Sequence, residues 1–100
     1  MVQLTERAGT ELRRLLVEHF ARPQQGVRLR LGDAGQLAMT IDVPHAGDSV
    51  IRRDNVPVLI VDARLSTRLA ARVLDFPPPS EAKKGFILTW SQSPPNGDPA

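Results

Sequence analysis

The sequence predicts a small α+β protein that is mainly β-sheet, with a helix near its start and a short second helix. Apolar residues first recur at helical spacing, later segments alternate apolar and polar residues, and residues 56–61 are almost continuously apolar. The chain has 100 residues, 41% hydrophobic and 24% charged, which suits one modest core. We therefore expect one domain over residues 1–90, built as a small mixed or antiparallel β-sandwich with the helices packed on it.

The first helix is predicted over residues 5–22. Thr5 is suited to be its N-cap, because the side-chain oxygen can accept a hydrogen bond from a free backbone N–H. Pro23 cannot continue the helix. The apolar positions recur at steps of three and four and so share one face: Ala8, Leu12, Leu15, Leu16 and Phe20.

Strands are predicted over residues 27–31 and 37–43, and a short third strand is predicted to begin with residues 50 and 51 and to end at a turn over residues 53–55. In the first, three apolar residues alternate with Arg28 and Arg30, which places the apolar side chains inward and the two guanidinium groups outward. Residues 44–48 contain a proline and a glycine and are expected to form a turn.

The second half of the chain predicts the centre of the core. Residues 56–61 read as a strand covered on both faces, followed by a short helix over residues 63–71 and a brief strand over residues 73–76. Pro77, Pro78 and Pro79 form an extended corner before a last strand over residues 85–90. Residues 91–100 lack an apolar anchor and are expected to be a disordered tail.

Composition excludes several classes of function. The chain has no cysteine, so it cannot form a disulfide, a thiolate metal site or a cysteine nucleophile of its own. No apolar run is long enough to span a bilayer and the first residues do not resemble a signal peptide, which favours a cytoplasmic protein without membrane contact. The net charge is +2, and the arginines are interleaved with eleven carboxylates, which does not favour nucleic-acid binding.

Four segments follow one another in a distinctive order: LTERAGTELRRLLVEHF from Leu4, GVRLRLG from Gly26, VLIVDARLSTRLAARVLDF from Val58 and GFILTW from Gly85. Together they resemble the HesB/IscA-like family of A-type iron-sulfur carriers. The resemblance implies a HesB-like domain over most of the chain. It also implies a relation to iron-sulfur cluster biogenesis.

This sequence departs from the family pattern at the ligands. Family members place one cysteine in the loop between the first two strands after the helix and two more in a Cys-Gly-Cys element of the tail, where thiolates hold iron or a cluster. The loop position falls at about Ala34, and the tail positions fall near Gly97 and Pro99. The resemblance thus implies the fold without its cluster-binding atoms.

Other candidate sites are few. His45 lies between Asp42 and Asp48 in sequence, and an imidazole with two carboxylates is a possible alternative metal site, although the spacing matches no known ligand pattern. No nucleophile elbow, phosphate-binding loop or dinucleotide motif is present, so we assign no catalytic residue, no metal ligand and no cofactor.

We therefore predict a non-catalytic HesB/IscA-like protein that acts as an interaction or accessory module related to iron-sulfur cluster biogenesis. Its partner would be a protein of unspecified identity, binding at a polar face formed by Arg28, Arg30, Arg52 and Arg53. One alternative is an iron or cluster carrier with non-thiolate or partner-supplied ligands. Another is a weak nucleic-acid binder that acts through arginine.

Overall fold

The computed structural model describes residues 2–78 and 85–91. In chain order the elements are β1 (Gln3–Leu4), α1 (Glu6–Glu18), β2 (Gly26–Leu31), β3 (Leu37–Asp42), β4 (Ser49–Arg53), β5 (Val56–Val61), α2 (Ala63–Arg68), β6 (Arg72–Asp75) and β7 (Ile87–Trp90). The predicted α+β class with two helices is confirmed. The short strand β1 was not predicted, and the predicted tail lies outside the described residues from 92 onward.

The described strands form two mixed sheets. One has the order β3-β2-β5-β4, and the other has the order β1-β6-β7. In the larger sheet β2 and β5 are parallel, whereas β3 and β4 pair antiparallel with β2 and β5 respectively. β3 and β4 are consecutive in sequence but lie at opposite edges, so the connection over residues 43–48 must cross the two middle strands.

Helix α1 covers one face of the larger sheet. Thr5 caps it, as predicted, by accepting a hydrogen bond from the backbone N–H of Ala8 at 3.1 Å. Leu12 and Leu16 are buried and join a core cluster that includes Val27 of β2 and Leu59 of β5. This helix therefore has the packing role that its apolar stripe indicates.

The end of α1 differs from the prediction. The helix stops at Glu18, and the backbone N–H groups of Phe20 and Ala21 donate to the carbonyls of Val17 and Leu16 at 3.1 and 2.9 Å. This is a Schellman ending, in which the residue after the cap takes a left-handed conformation. Phe20 has φ 55° and its side chain is 90% exposed, so placing Phe20 on the buried stripe was wrong.

Strand β5 is the centre of the core, as the sequence predicts. Leu59 and Ile60 have no exposed surface although they point to opposite faces of the sheet. Leu59 pairs with Val27 and faces the α1 side, whereas Ile60 pairs with Arg28 and faces the side crossed by residues 43–48. Across the described residues, neither helix has the length and apolar character needed to cross a bilayer.

Candidate functional site

The site centres on the guanidinium of Arg28, the one charged residue among residues 2–78 and 85–91 that is buried as a whole. Its residue is only 6% exposed. Nε donates to Oδ2 of Asp42 at 2.6 Å, and Nη2 donates to Oδ2 of Asp48 at 2.7 Å and to the carbonyl of Val43 at 3.2 Å. The prediction that Arg28 points outward as a free cation is therefore wrong.

The strand connection explains this burial. Alternation along β2 correctly placed Arg28 on the face opposite Val27. That face would be open if β3 and β4 were neighbours, but residues 43–48 cross it between the two edges of the sheet. The crossing brings Asp48 over Arg28, and the side chain of Asp48 is only 6% exposed.

The electrostatics of this cluster are mutually stabilising. Hydrogen bonds from Arg28 lower the pKa of the Asp42 carboxyl, and the N–H of Val43 adds to the effect. Hydrogen bonds from Arg28 also lower the pKa of the Asp48 carboxyl, opposed by burial and assisted by the N–H of His45. The carboxylates in turn raise the pKa of Arg28, so all three groups stay charged near neutral pH.

The residues of the possible alternative metal site, Asp42, His45 and Asp48, lie close together, but the two carboxylates already bind a cation of the protein itself. Nε2 of His45 lies 3.5 Å from Oδ1 of Asp42, and Asp48 accepts a hydrogen bond from the backbone N–H of His45 at 2.7 Å. The cation held by the two carboxylates is the guanidinium of Arg28. Among residues 2–78 and 85–91, no three histidine, cysteine or acidic side chains are grouped so that they could hold a metal ion.

The loop position expected for a family ligand lies in the β2–β3 turn. Ala34 is exposed there, and its backbone N–H donates to the side chain of Gln36 at 3.1 Å. The two tail positions, Gly97 and Pro99, lie outside the described residues. A methyl side chain cannot ligate iron, so this turn offers no side-chain ligand at that position.

A pocket lies beside this turn, between the two sheets. Its volume is about 490 Å³, and it is lined by Leu31, Gly35, Leu37, Phe86 and Leu88 together with Arg72. The guanidinium of Arg72 lies 4.4 Å from the ring centroid of Trp90, and Nη2 donates to the carbonyl of Leu88 at 3.2 Å. Trp90 is 67% exposed, so its ring lies at the surface. This pocket therefore offers an apolar wall and one cation.

The four arginines predicted as a partner surface do not form one face. Arg30 and Arg52 are exposed, but Arg53 is half-buried against α1, where a Cβ on Gly9 would lie 3.3 Å from its Nη2 atom. Adjacent residues of a strand point to opposite faces, which separates Arg52 from Arg53. Partner binding through Arg28, Arg30, Arg52 and Arg53 stays a prediction.

The structure brings Arg30 together with two arginines that the sequence analysis did not select. Arg30, Arg64 and Arg68 line a pocket of about 170 Å³ with Leu31, Leu65 and Asp62. The i,i+4 spacing of Arg64 and Arg68 in the predicted second helix could have identified that pair. Their proximity to Arg30 required the parallel pairing of β2 with β5, which the sequence pattern did not specify.

Comparison with known proteins gives matches in structure only. No family model matches the sequence, and no curated protein matches it either. A crystal structure of Escherichia coli SufA, involved in biosynthesis of iron-sulfur clusters, has TM-score 0.62 and 20% identity over 89% of this chain and 84% of SufA. A solution structure of an Aquifex aeolicus protein has TM-score 0.63 and 22% identity over 88% of this chain and 89% of that one.

A crystal structure of IscA with its [2Fe-2S] cluster gives a third match. It has TM-score 0.58 and 18% identity over 90% of this chain and 85% of IscA. The three alignments cover between 84% and 89% of the matched structures. At these low sequence identities, the matches establish similarity of fold. The chain therefore has the HesB/IscA-like fold, and it has this fold without a single cysteine.

Proposed function

We propose that this protein is a non-catalytic, cytoplasmic accessory module of iron-sulfur cluster biogenesis that binds another protein and does not itself ligate a cluster. The observation that carries the proposal is the combination of this fold with a sequence that contains no cysteine. Cluster ligation in proteins rests mainly on thiolates, because soft anionic sulfur suits iron-sulfur chemistry. A chain with this fold and no thiolate can still dock to a protein.

Two features of the described residues support loss of ligation. The turn that matches the family's first ligand presents Ala34, and the neighbouring pocket is lined mostly by apolar side chains. The groups best suited to bind iron without sulfur are Asp42, Asp48 and His45, but the two carboxylates already hold Arg28. A metal at that position would have to displace a buried guanidinium, which would then be left unpaired at a large cost.

The experiment that tests this function is affinity capture from an anaerobic native extract with the full chain as bait. Enrichment of iron-sulfur assembly proteins over an unrelated bait of the same size and charge would support the proposal. Equal recovery on both baits would contradict it.

Adding iron and sulfide during capture distinguishes the proposed accessory role from the alternative in which the protein carries iron or a cluster. Iron bound to the isolated chain would favour carriage through non-thiolate ligands. Iron bound only in the captured complex would favour cysteines supplied by the partner. The nucleic-acid alternative predicts affinity for DNA or RNA that falls steeply as salt rises, because such binding releases counterions from phosphate.

A further inference from the structure

Three exposed arginines from two elements converge on one small pocket. Arg30 lies near the end of β2, and Arg64 and Arg68 lie four residues apart on α2. The pocket they line has a volume of about 170 Å³, and Leu31 and Leu65 supply its apolar part. We call this site the α2 arginine pocket. It also contains one carboxylate, that of Asp62.

Three arginines of the described chain have carboxylate partners, and the pocket arginines are not among them. Arg13 pairs with Asp54, Arg14 pairs with Glu11 and Glu18, and Arg28 pairs with two aspartates. Among the described residues, no carboxylate lies within 4.0 Å of the guanidinium nitrogens of the three pocket arginines. The α2 arginine pocket is therefore a concentration of positive charge that the described chain does not neutralise.

The single carboxylate of the pocket has another role. Oδ1 of Asp62 accepts a hydrogen bond from the backbone N–H of Leu65 at 2.8 Å and so caps α2. The pocket therefore contains three cations and one anion, and that anion caps the helix.

The charge of Arg64 destabilises helix α2. It lies in the first turn of α2, where the helix dipole disfavours a positive charge. Arg68 lies four residues later, and like charges at that spacing destabilise a helix. Arg68 itself lies in the last turn, where a cation is favourable, so the helix dipole explains Arg68 but leaves Arg64 unexplained.

We propose that the α2 arginine pocket binds an acidic segment of the partner protein, whose carboxylates pair with Arg30, Arg64 and Arg68. An apolar side chain of the same segment would rest on Leu31 and Leu65. This inference rests on the proposed function, because it names the surface by which the module docks.

Protein is favoured over nucleic acid by the contents of the pocket. The two exposed aromatic residues of the described chain, Phe20 and Trp90, do not line the pocket, so bases would have no ring to stack on there. The apolar floor instead matches an aliphatic side chain between carboxylates.

The test uses the full chain and a fluorescein-labelled peptide in which glutamates flank a central leucine. Fluorescence anisotropy measures its affinity for the wild type and for the double variant Arg64→Gln with Arg68→Gln. We expect the double variant to bind at least about tenfold more weakly. The single variant Arg64→Gln should weaken binding while its melting temperature stays equal to or above that of the wild type, because removing this charge relieves the helix.

The matched control is the double variant Arg7→Gln with Arg22→Gln, which removes the same charge from exposed positions outside the pocket. It should change affinity by less than about threefold. Equal losses in the two double variants would overturn the proposal, since net charge alone would then explain binding.

Three other outcomes would also overturn it. They are no binding of the acidic peptide at about 1 mM, equal binding of a peptide with glutamine in place of glutamate, and tighter binding of a labelled single-stranded DNA oligonucleotide. Failure here leaves the capture and iron measurements unchanged, so it is distinguishable from failure of the proposed function.

Discussion

Replacing Asp48 with asparagine tests the buried charge cluster beneath the strand crossing. The Asp48 carboxylate accepts hydrogen bonds from Nη2 of Arg28 at 2.7 Å and from the N–H of His45 at 2.7 Å. Both bonds end on Oδ2, so an asparagine with its single oxygen there can keep their geometry but not their negative charge, and its NH2 group then faces Nη1 of Arg28 in place of an Oδ1 acceptor at 3.4 Å. Arg28 therefore keeps one carboxylate, that of Asp42, and loses the charge-assisted bond to Asp48. Such a bond contributes about 2 kcal/mol, which for a domain of this size lowers the melting temperature by about 8 to 16 °C.

The assay is thermal unfolding followed by circular dichroism, with Asp54→Asn as the matched control. Asp54 pairs with Arg13 at 2.8 Å, but the two side chains are 80% and 48% exposed, so this ion pair should contribute less than about 1 kcal/mol. Asparagine tolerates the left-handed backbone of position 54, where φ is 53°. If Asp48→Asn destabilises the protein no more than Asp54→Asn does, the buried cluster does not stabilise the fold as argued.

Three further outcomes follow from the structure. Arg28 lowers the pKa of Asp42 and Asp48, so the contribution of these two carboxylates to stability is complete above the ordinary aspartate pKa of about 4 and is lost as pH falls below it. The melting temperature of the wild type should therefore fall more steeply between about pH 4 and 2 than that of Asp48→Asn. Parallel curves for the two proteins would contradict this. Gly26→Ala should destabilise the protein by about 1 to 3 kcal/mol in urea unfolding, because the new Cβ would lie 2.9 Å from a backbone oxygen of β5. Gly32→Ala would meet only the side chain of Gln36, which can shift more readily than backbone, so it should destabilise less, and the reverse order would refute the packing argument. Thr5→Ala should lower the free energy of unfolding by about 1 kcal/mol, because the hydroxyl that caps α1 is lost, and Thr5→Ser should lower it much less. The same urea unfolding curves measure both variants, and equal losses would exclude the hydroxyl as the cause.

The fold class was predictable because local patterns specify most of the elements. The apolar stripe of α1, the alternation in β2 and the continuous apolar run of β5 each depend on neighbouring residues alone, and each forms the predicted element, although Arg28 is buried and Phe20 is exposed. The helix end was not predictable from the stripe, because Phe20 continues the spacing while the backbone turns away at a Schellman motif.

The candidate site was less predictable because it depends on which strands are neighbours. Alternation assigns Arg28 to one face of β2, but only the sheet order shows that residues 43–48 cross that face and bury it. Likewise, the parallel pairing of β2 and β5 places Arg30 beside Arg64 and Arg68. Nothing in the local sequence specifies either contact.

The most direct measurement is the iron content of the purified chain after anaerobic incubation with iron and sulfide, read by elemental analysis and by absorbance in the visible range. We predict less than about 0.1 iron per chain and no sulfur-to-iron absorption bands, because the polypeptide supplies no thiolate. About one iron or more per chain, retained through gel filtration, would show that this protein holds the metal by itself and would contradict the account.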